Sequence, residues 1–288
     1  MYEQISSNKR RTFVLLLVFI VLLWALAWLI SQATGRPGLL FVVGVFSLLY
    51  SLFSYFAGAK LALAVNGAKQ ITKKDDPRLW RTVENIAITD GLPMPKVYIM
   101  NDPAPNAFAT GRKPEASAVC ATSGLLQIMN DTELEGVIAH EMGHIKNYDM
   151  RVNTIAFALV GIISIIADMF WHISFFGGDD RDTPPWLQVL AIVAVILAPF
   201  AATLMQLAIS RRREYLADAT GALTTRYPDG LASALEKLEH VSTATRKQNT
   251  ATAHMFFANP LKSGGVANLF STHPPLEARI KALREMRL

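Results

Sequence analysis

The sequence predicts a mainly helical α+β integral membrane protein, in which four transmembrane helices carry a cytoplasmic domain with a small β-sheet. Three observations predict it. Four apolar stretches approach the ~20 residues that a helix needs to cross a bilayer. Charged residues make up only 18% of the 288-residue chain and mean hydropathy is +0.27, whereas soluble domains are about 25% charged. Finally, the polar segments between the apolar pairs contain short runs with strand character, set among helical stripes.

The apolar stretches run from about Phe13 to Ile30, Leu39 to Ala57, Thr154 to Phe176 and Trp186 to Ile209. The first follows Lys9-Arg10-Arg11, but it exceeds the ~7–15 residues of a signal h-region and no A-x-A site follows, so it reads as retained. Lysines and arginines cluster before span one, after span two (Lys60 to Arg81) and after span four (Arg211-Arg212-Arg213). The other two connections carry only Arg36 or the acidic run Gly177 to Asp182. The positive-inside rule then puts both termini and the middle segment in the cytoplasm. The chain divides into a membrane hairpin at 1–64, the first part of a cytoplasmic domain at 65–153, a second hairpin at 154–209 and the second part of that domain at 210–288.

The net charge of +5 follows from this distribution and carries no RRM, zinc-finger or helix-turn-helix pattern, so no nucleic-acid partner is expected. A single cysteine, Cys120, excludes an intrachain disulfide and a metal site built from thiolates.

In the first soluble segment, Asp76-Pro77 opens a helix with Leu79, Trp80, Val83, Ile86 and Ala87 on one stripe, stopped before Pro93 and Pro95. Lys96 to Met100, Ala107 to Thr110 and Ala116 to Thr122 read as strands, with Gly111 and Lys113-Pro114 as a turn. Gly124 to Met129 reads as a short helix. Asn130-Asp131-Thr132 opens another, with Thr132 and Glu135 at capping-box spacing.

That last helix holds His140-Glu141-Met142-Gly143-His144. Positions i and i+4 share a helix face, so both imidazoles reach one Zn²⁺. Glu141 stands beside the first ligand, where a carboxylate acts as general base on the zinc-activated water. Gly143 lowers helix propensity without a local reason. A catalytic zinc needs a third protein ligand and one open position. Asp149 lies five residues beyond His144, off the ligand face if the helix continues, and Asp168 lies within an apolar span. Glu214 is the strongest candidate, because a hairpin of spans three and four returns the chain to the motif. Asp218, one turn later, is placed to hydrogen-bond a ligand histidine. A solvated Glu214 paired with its arginines is the alternative.

His140-Glu141-Met142-Gly143-His144 with Glu214-x-x-x-Asp218 resembles the HtpX-type membrane peptidases, relatives of the Ste24-type CAAX proteases. The resemblance covers nearly the whole chain, including Asn106 to Gly111 and Thr272 to Ile280. It implies a zincin-like domain and a zinc endopeptidase of the bacterial inner membrane with one Zn²⁺ per chain, facing the cytoplasm and acting in the quality control of membrane proteins. His140, His144 and Glu214 would be its ligands and Glu141 its base. Asn106, Ala107, Phe108 and Ala109 would form an edge strand that pairs with the substrate backbone; a buried strand led by a turn asparagine is the alternative. His273 would stabilise the oxyanion; a turn histidine before two prolines is the alternative. Charged flanks such as Glu133, Lys146 and Asp149 argue against a motif cutting inside the bilayer. The single cysteine and Glu141 argue against a purely structural zinc. The sequence does not read out an oligomeric state.

Overall fold

The computed structural model describes residues 2–34, 38–159, 211–241, 255–257 and 274–287. The first two helices, α1 (Tyr2–Thr34) and α2 (Gly38–Val65), lie side by side, with the Phe19 and Tyr50 rings 6.1 Å apart. Between them they expose Phe13, Val21, Trp24 and Trp28 of α1 and Phe41, Leu49 and Phe56 of α2. So large an apolar exterior is foreign to a water-solvated helix pair. Among the described residues one helical window, Gly44–Val65, is long and apolar enough to cross a membrane. The helix of the second predicted span continues past Ala57 to Val65, where Ala62 and Leu63 are buried against the domain. Predicted spans three and four lie outside the described residues, apart from helical residues 154–159.

The soluble part is built around a four-stranded sheet: β1 (Lys69–Gln70), β2 (Lys96–Met100), β3 (Ala107–Gly111) and β4 (Ser117–Thr122), in the order β1-β2-β4-β3. β2 and β4 run parallel, whereas β1 and β3 are antiparallel to their neighbours. β1 escapes sequence reading because two residues carry no alternation. β4 begins one residue later than the pattern suggests, since Ala116 closes a 3₁₀ turn onto the Lys113 carbonyl. Period-2 alternation splits β3 and β4 between two cores. Ala107, Ala109, Val119 and Ala121 face the helices of the domain, while Phe108, Ala118 and Cys120 face Leu15 and Phe19 of α1 and Ala62 and Leu63 of α2. The C-terminal end of α2 is thus seated against the back of the sheet that carries the site, in one cluster with the middle of α1.

On the other face, α3 (Pro77–Asp90) starts at Asp76, whose side chain accepts from the Leu79 amide, and stops at left-handed Gly91. Its buried residues Leu79, Val83, Ile86 and Ala87 belong to the stripe the spacing predicts. α4 (Ser123–Ile128) is capped by Thr122. α5 (Asp131–Lys146) is capped by Asn130 and Glu133 rather than by Thr132 and Glu135. Extended Asn130 accepts from the Glu133 amide and Glu133 reaches back to the Asn130 amide, while Thr132 already lies within the first turn. α6 comprises residues 149–159. α7 (Arg211–Thr225), α8 (Pro228–His240) and α9 (Leu276–Arg284) complete the described helices. α5 is the hub. It packs against α3, α7, α8 and β3, with Leu134, Val137, Ile138 and Met142 fully buried, each contributing about 1.5–3 kcal/mol of hydrophobic stabilisation.

Candidate metal centre

α5 places the His140 and His144 Nε2 atoms 3.1 Å apart, with the rings perpendicular. α7 brings the Glu214 carboxylate to 3.7 Å from His140 Nε2 and 3.6 Å from His144 Nε2. Three donor atoms, one from each residue, lie within 4.8 Å of one another, and all three residues are buried. Two donors 2.0–2.1 Å from a tetrahedral zinc sit about 3.3 Å apart, so the donor set fits such an ion. Glu214 joins the histidines as the sequence expects.

The approach of α7 to α5 has a steric basis. A Cβ on Gly221 would lie 2.9 Å from the His140 backbone nitrogen, and one on Gly143 would lie 3.3 Å from the Ala217 carbonyl oxygen. Gly143, without a reason in the sequence, has one here: it lets the two helices pack backbone to backbone.

Each of the two histidines has a carboxylate behind it. Asp218 Oδ1 lies 2.8 Å from His140 Nδ1, as expected one turn after Glu214. Arg279 of α9 is 0% exposed and grips the Asp218 carboxylate with two bonds, 2.8 Å from Nε and 2.7 Å from Nη2. Asp149 lies 3.2 Å from His144 Nδ1. The continued-helix premise for Asp149 fails. α5 stops at Lys146 and Tyr148 takes a left-handed turn (φ 61°), which swings Asp149 back over His144. Asp149 is in turn held by Asn8 of α1, whose Nδ2 is 2.6 Å from its carboxylate and 2.8 Å from the Asn147 carbonyl. A carboxylate at Nδ1 favours the proton there and leaves Nε2 free to bind a metal.

The electrostatics follow from burial. Burial lowers the His140 pKa to about 4, although Asp218 opposes it. Burial also acts to lower His144, but Glu214, Asp149 and Glu141 outweigh it and raise the pKa to about 9. Burial raises Glu141 to about 7, aided by Glu214 and opposed by His144, a bond from the Ala109 amide and Arg279. Burial would raise Asp218, yet Arg279 and His140 hold it well below the usual carboxylate range.

β3 lies at the end of the sheet, beside Glu141. The Asn106 carbonyl accepts from the Thr122 amide, so Asn106 and Phe108 direct their peptide groups at β4, while Ala107 and Ala109 direct theirs away from it. Ala109 lines a cavity of about 10 Å³ with His140, Glu141, His144 and Glu214. His273 lies outside the described residues. Sequence reading singled out neither Asn8 nor Arg279. Arg279 leaves two signals: it falls within Thr272 to Ile280, a string that carries the family resemblance, and it lies three residues after Leu276 and four before buried Leu283, an apolar-stripe position.

The model of Peptidase family M48 matches residues 73–287. The "Protease HtpX homolog" of Tropheryma whipplei (strain Twist) is 50% identical over 287 residues, covering 99% of this chain and 98% of that protein. Those of Dictyoglomus thermophilum and Streptococcus gordonii are 44% and 42% identical, each over 99% of this chain and 94% and 100% of their own lengths. The crystal structure of S. mikatae Ste24p aligns with a TM-score of 0.52 at 18% identity, covering 98% of this chain and 67% of that one, which shows a shared fold.

Proposed function

The chain belongs to Peptidase family M48 and is a metalloprotease, and on that premise we propose that it is a membrane-anchored zinc endopeptidase. It hydrolyses peptide bonds of misfolded or damaged membrane proteins at the cytoplasmic face of a bacterial inner membrane. One observation carries this reading: His140, His144 and Glu214 converge with Glu141 alongside, and each histidine is braced by a carboxylate.

His140, His144 and Glu214 hold one zinc ion per chain. Zinc supplies Lewis acidity there, polarising the scissile carbonyl and acidifying water. Glu141 accepts the proton of the attacking water and returns it to the departing amine. Asp218 and Asp149 hold the two imidazoles in orientation, and Arg279 keeps Asp218 ionised. His273 stabilises the oxyanion. The outward peptide groups of Ala107 and Ala109, in the strand that Asn106 and Phe108 anchor to β4, pair with an extended substrate backbone whatever its side chains.

The apolar exterior of α1 and α2 supports a bilayer as partner. The bond from Asn8, next to Lys9-Arg10-Arg11, to Asp149 supports a common side for the N-terminus and the site. The test is cleavage of denatured casein by the zinc-loaded chain in detergent. Glu141→Gln is expected to remove cleavage while zinc stays bound, and Glu214→Ala to lower zinc by elemental analysis. A rigorously repurified Glu141→Gln that still cleaves would refute the mechanism.

A further inference from the structure

The cavity at the site has a volume of about 10 Å³, room for about one water and none for a peptide. A substrate therefore has to displace part of the wall. Among the described residues, most of that wall is α5, α6, α7 and β3, which carry core residues. The described wall residues outside the α-helices and strands are Met255, Phe256 and Phe257.

These residues are only 6%, 2% and 1% exposed. The Phe257 amide donates to the Ala107 carbonyl at 2.8 Å. That carbonyl belongs to the outward set of β3 that an added strand would need. The Phe257 ring meets His140 edge-on at 4.9 Å and lies 5.0 Å from the Arg279 guanidinium. The Phe256 ring packs edge-on against Phe108 at 5.0 Å. The next outward amide, that of Ala109, bonds Glu141. The free edge of β3 is thus engaged by the protein itself at Ala107 and Ala109.

We propose that Met255–Phe257 is an internal occupant of the substrate cleft, displaced by extended peptides whose aromatic or large apolar side chains refill the pockets of Phe256 and Phe257. The proposal rests on the peptidase reading and adds a substrate class to it. A polar peptide leaves two apolar pockets empty when it expels the segment; an aromatic one does not. Apolar stretches torn from a bilayer have that composition.

The test uses full-length, zinc-loaded Glu141→Gln chain in detergent and two synthetic decapeptides that differ only in a central Phe-Phe or Ser-Ser pair. Binding is followed by fluorescence anisotropy and the Phe257 amide by hydrogen exchange. The Phe-Phe peptide is expected to bind and to speed exchange about tenfold, as for a local opening, and the Ser-Ser peptide to do neither. Unchanged or slowed exchange with the Phe-Phe peptide bound would make the segment a fixed wall, and failure to bind would show that the pockets are closed to peptide; either overturns the proposal. In the active chain, Phe257→Ala is expected to lower KM for the Phe-Phe peptide several-fold, and a raised KM counts against displacement. Wild-type cleavage of casein, lost in Glu141→Gln, is measured in parallel. Its absence would sink the peptidase reading itself and not the segment's role.

Discussion

Substituting Gly221 by alanine probes how the third ligand is positioned. The added Cβ would stand 2.9 Å from the His140 nitrogen, 3.1 Å from the Ala139 carbonyl carbon and 3.2 Å from His140 Cα. All three atoms are α5 backbone and cannot rotate away. Ordinary contacts to carbon fall near 3.5–4.0 Å, so α7 has to retreat by roughly 0.5 Å, at about 1–3 kcal/mol of stability. Glu214 lies two turns earlier on the same face, about 10 Å along the helix axis. Its oxygens already stand 3.6–3.7 Å from the imidazole nitrogens, so a retreat takes them beyond reach of a shared ion. Zinc affinity is expected to fall by about 10–100-fold, the scale seen when a ligand loses its support. The assay is zinc per chain by mass spectrometry after dialysis against buffered free zinc, alongside thermal unfolding and kcat/KM. Gly136→Ala is the control. Its Cβ would meet the Leu231 nitrogen at 2.7 Å, a comparable clash directed at α8, so stability should fall with zinc retained. Wild-type zinc affinity in Gly221→Ala, or equal zinc loss in both variants, would refute the reasoning.

Asp218→Asn leaves the buried Arg279 guanidinium without its counter-charge and is expected to cost about 3–5 kcal/mol. Adding Arg279→Met should restore part of the melting temperature but not the zinc affinity, because His140 still lacks its carboxylate; recovery of both would reduce the pair to a fold element. Asn8→Leu removes the tie from α1 to Asp149 and Asn147, with an expected loss of about 1–3 kcal/mol. Zinc titration should show a weaker site in that variant, and an unaltered one would mean that α1 does not brace His144. Burial, with Glu141 adding to it, raises the Cys120 pKa well above that of an ordinary thiol. The unfolded thiol ionises near pH 8.5, so its contribution to stability is intact below that pH and declines above it. Native protein should resist iodoacetamide at pH 9 until denatured, and fast alkylation of folded chain would contradict the burial.

The pair His140 and His144 is legible in the sequence because i and i+4 spacing is a property of any α-helix. The alternation of basic and poor connections points to Glu214 through the expectation that spans three and four form a hairpin, and those spans lie outside the described residues. The stripe of α3 and the strands β2 to β4 follow from local periodicity and turn residues. The cap of α5 was misassigned by two residues, since the two candidate boxes overlap and only backbone dihedrals decide between them.

What brings the remaining groups to the site is long-range. Whether Asp149 meets His144 depends on the left-handed turn at Tyr148, a residue with no intrinsic preference for it. Whether Arg279 sits behind Asp218 depends on how α9 packs against α7. Whether Asn8 supports Asp149 depends on a contact across 141 residues, and Phe257 meets the edge of β3 only because two distant segments close the same cavity. The sequence alone determined that His140, Glu141 and His144 share one stretch of helix at a spacing suited to a metal and a proton acceptor, since that spacing is local to the helix. Tertiary structure alone decided which groups stand behind His140 and His144 and which line the cavity beside them, because burial and backbone approach belong to the packed chain and to no single segment of it.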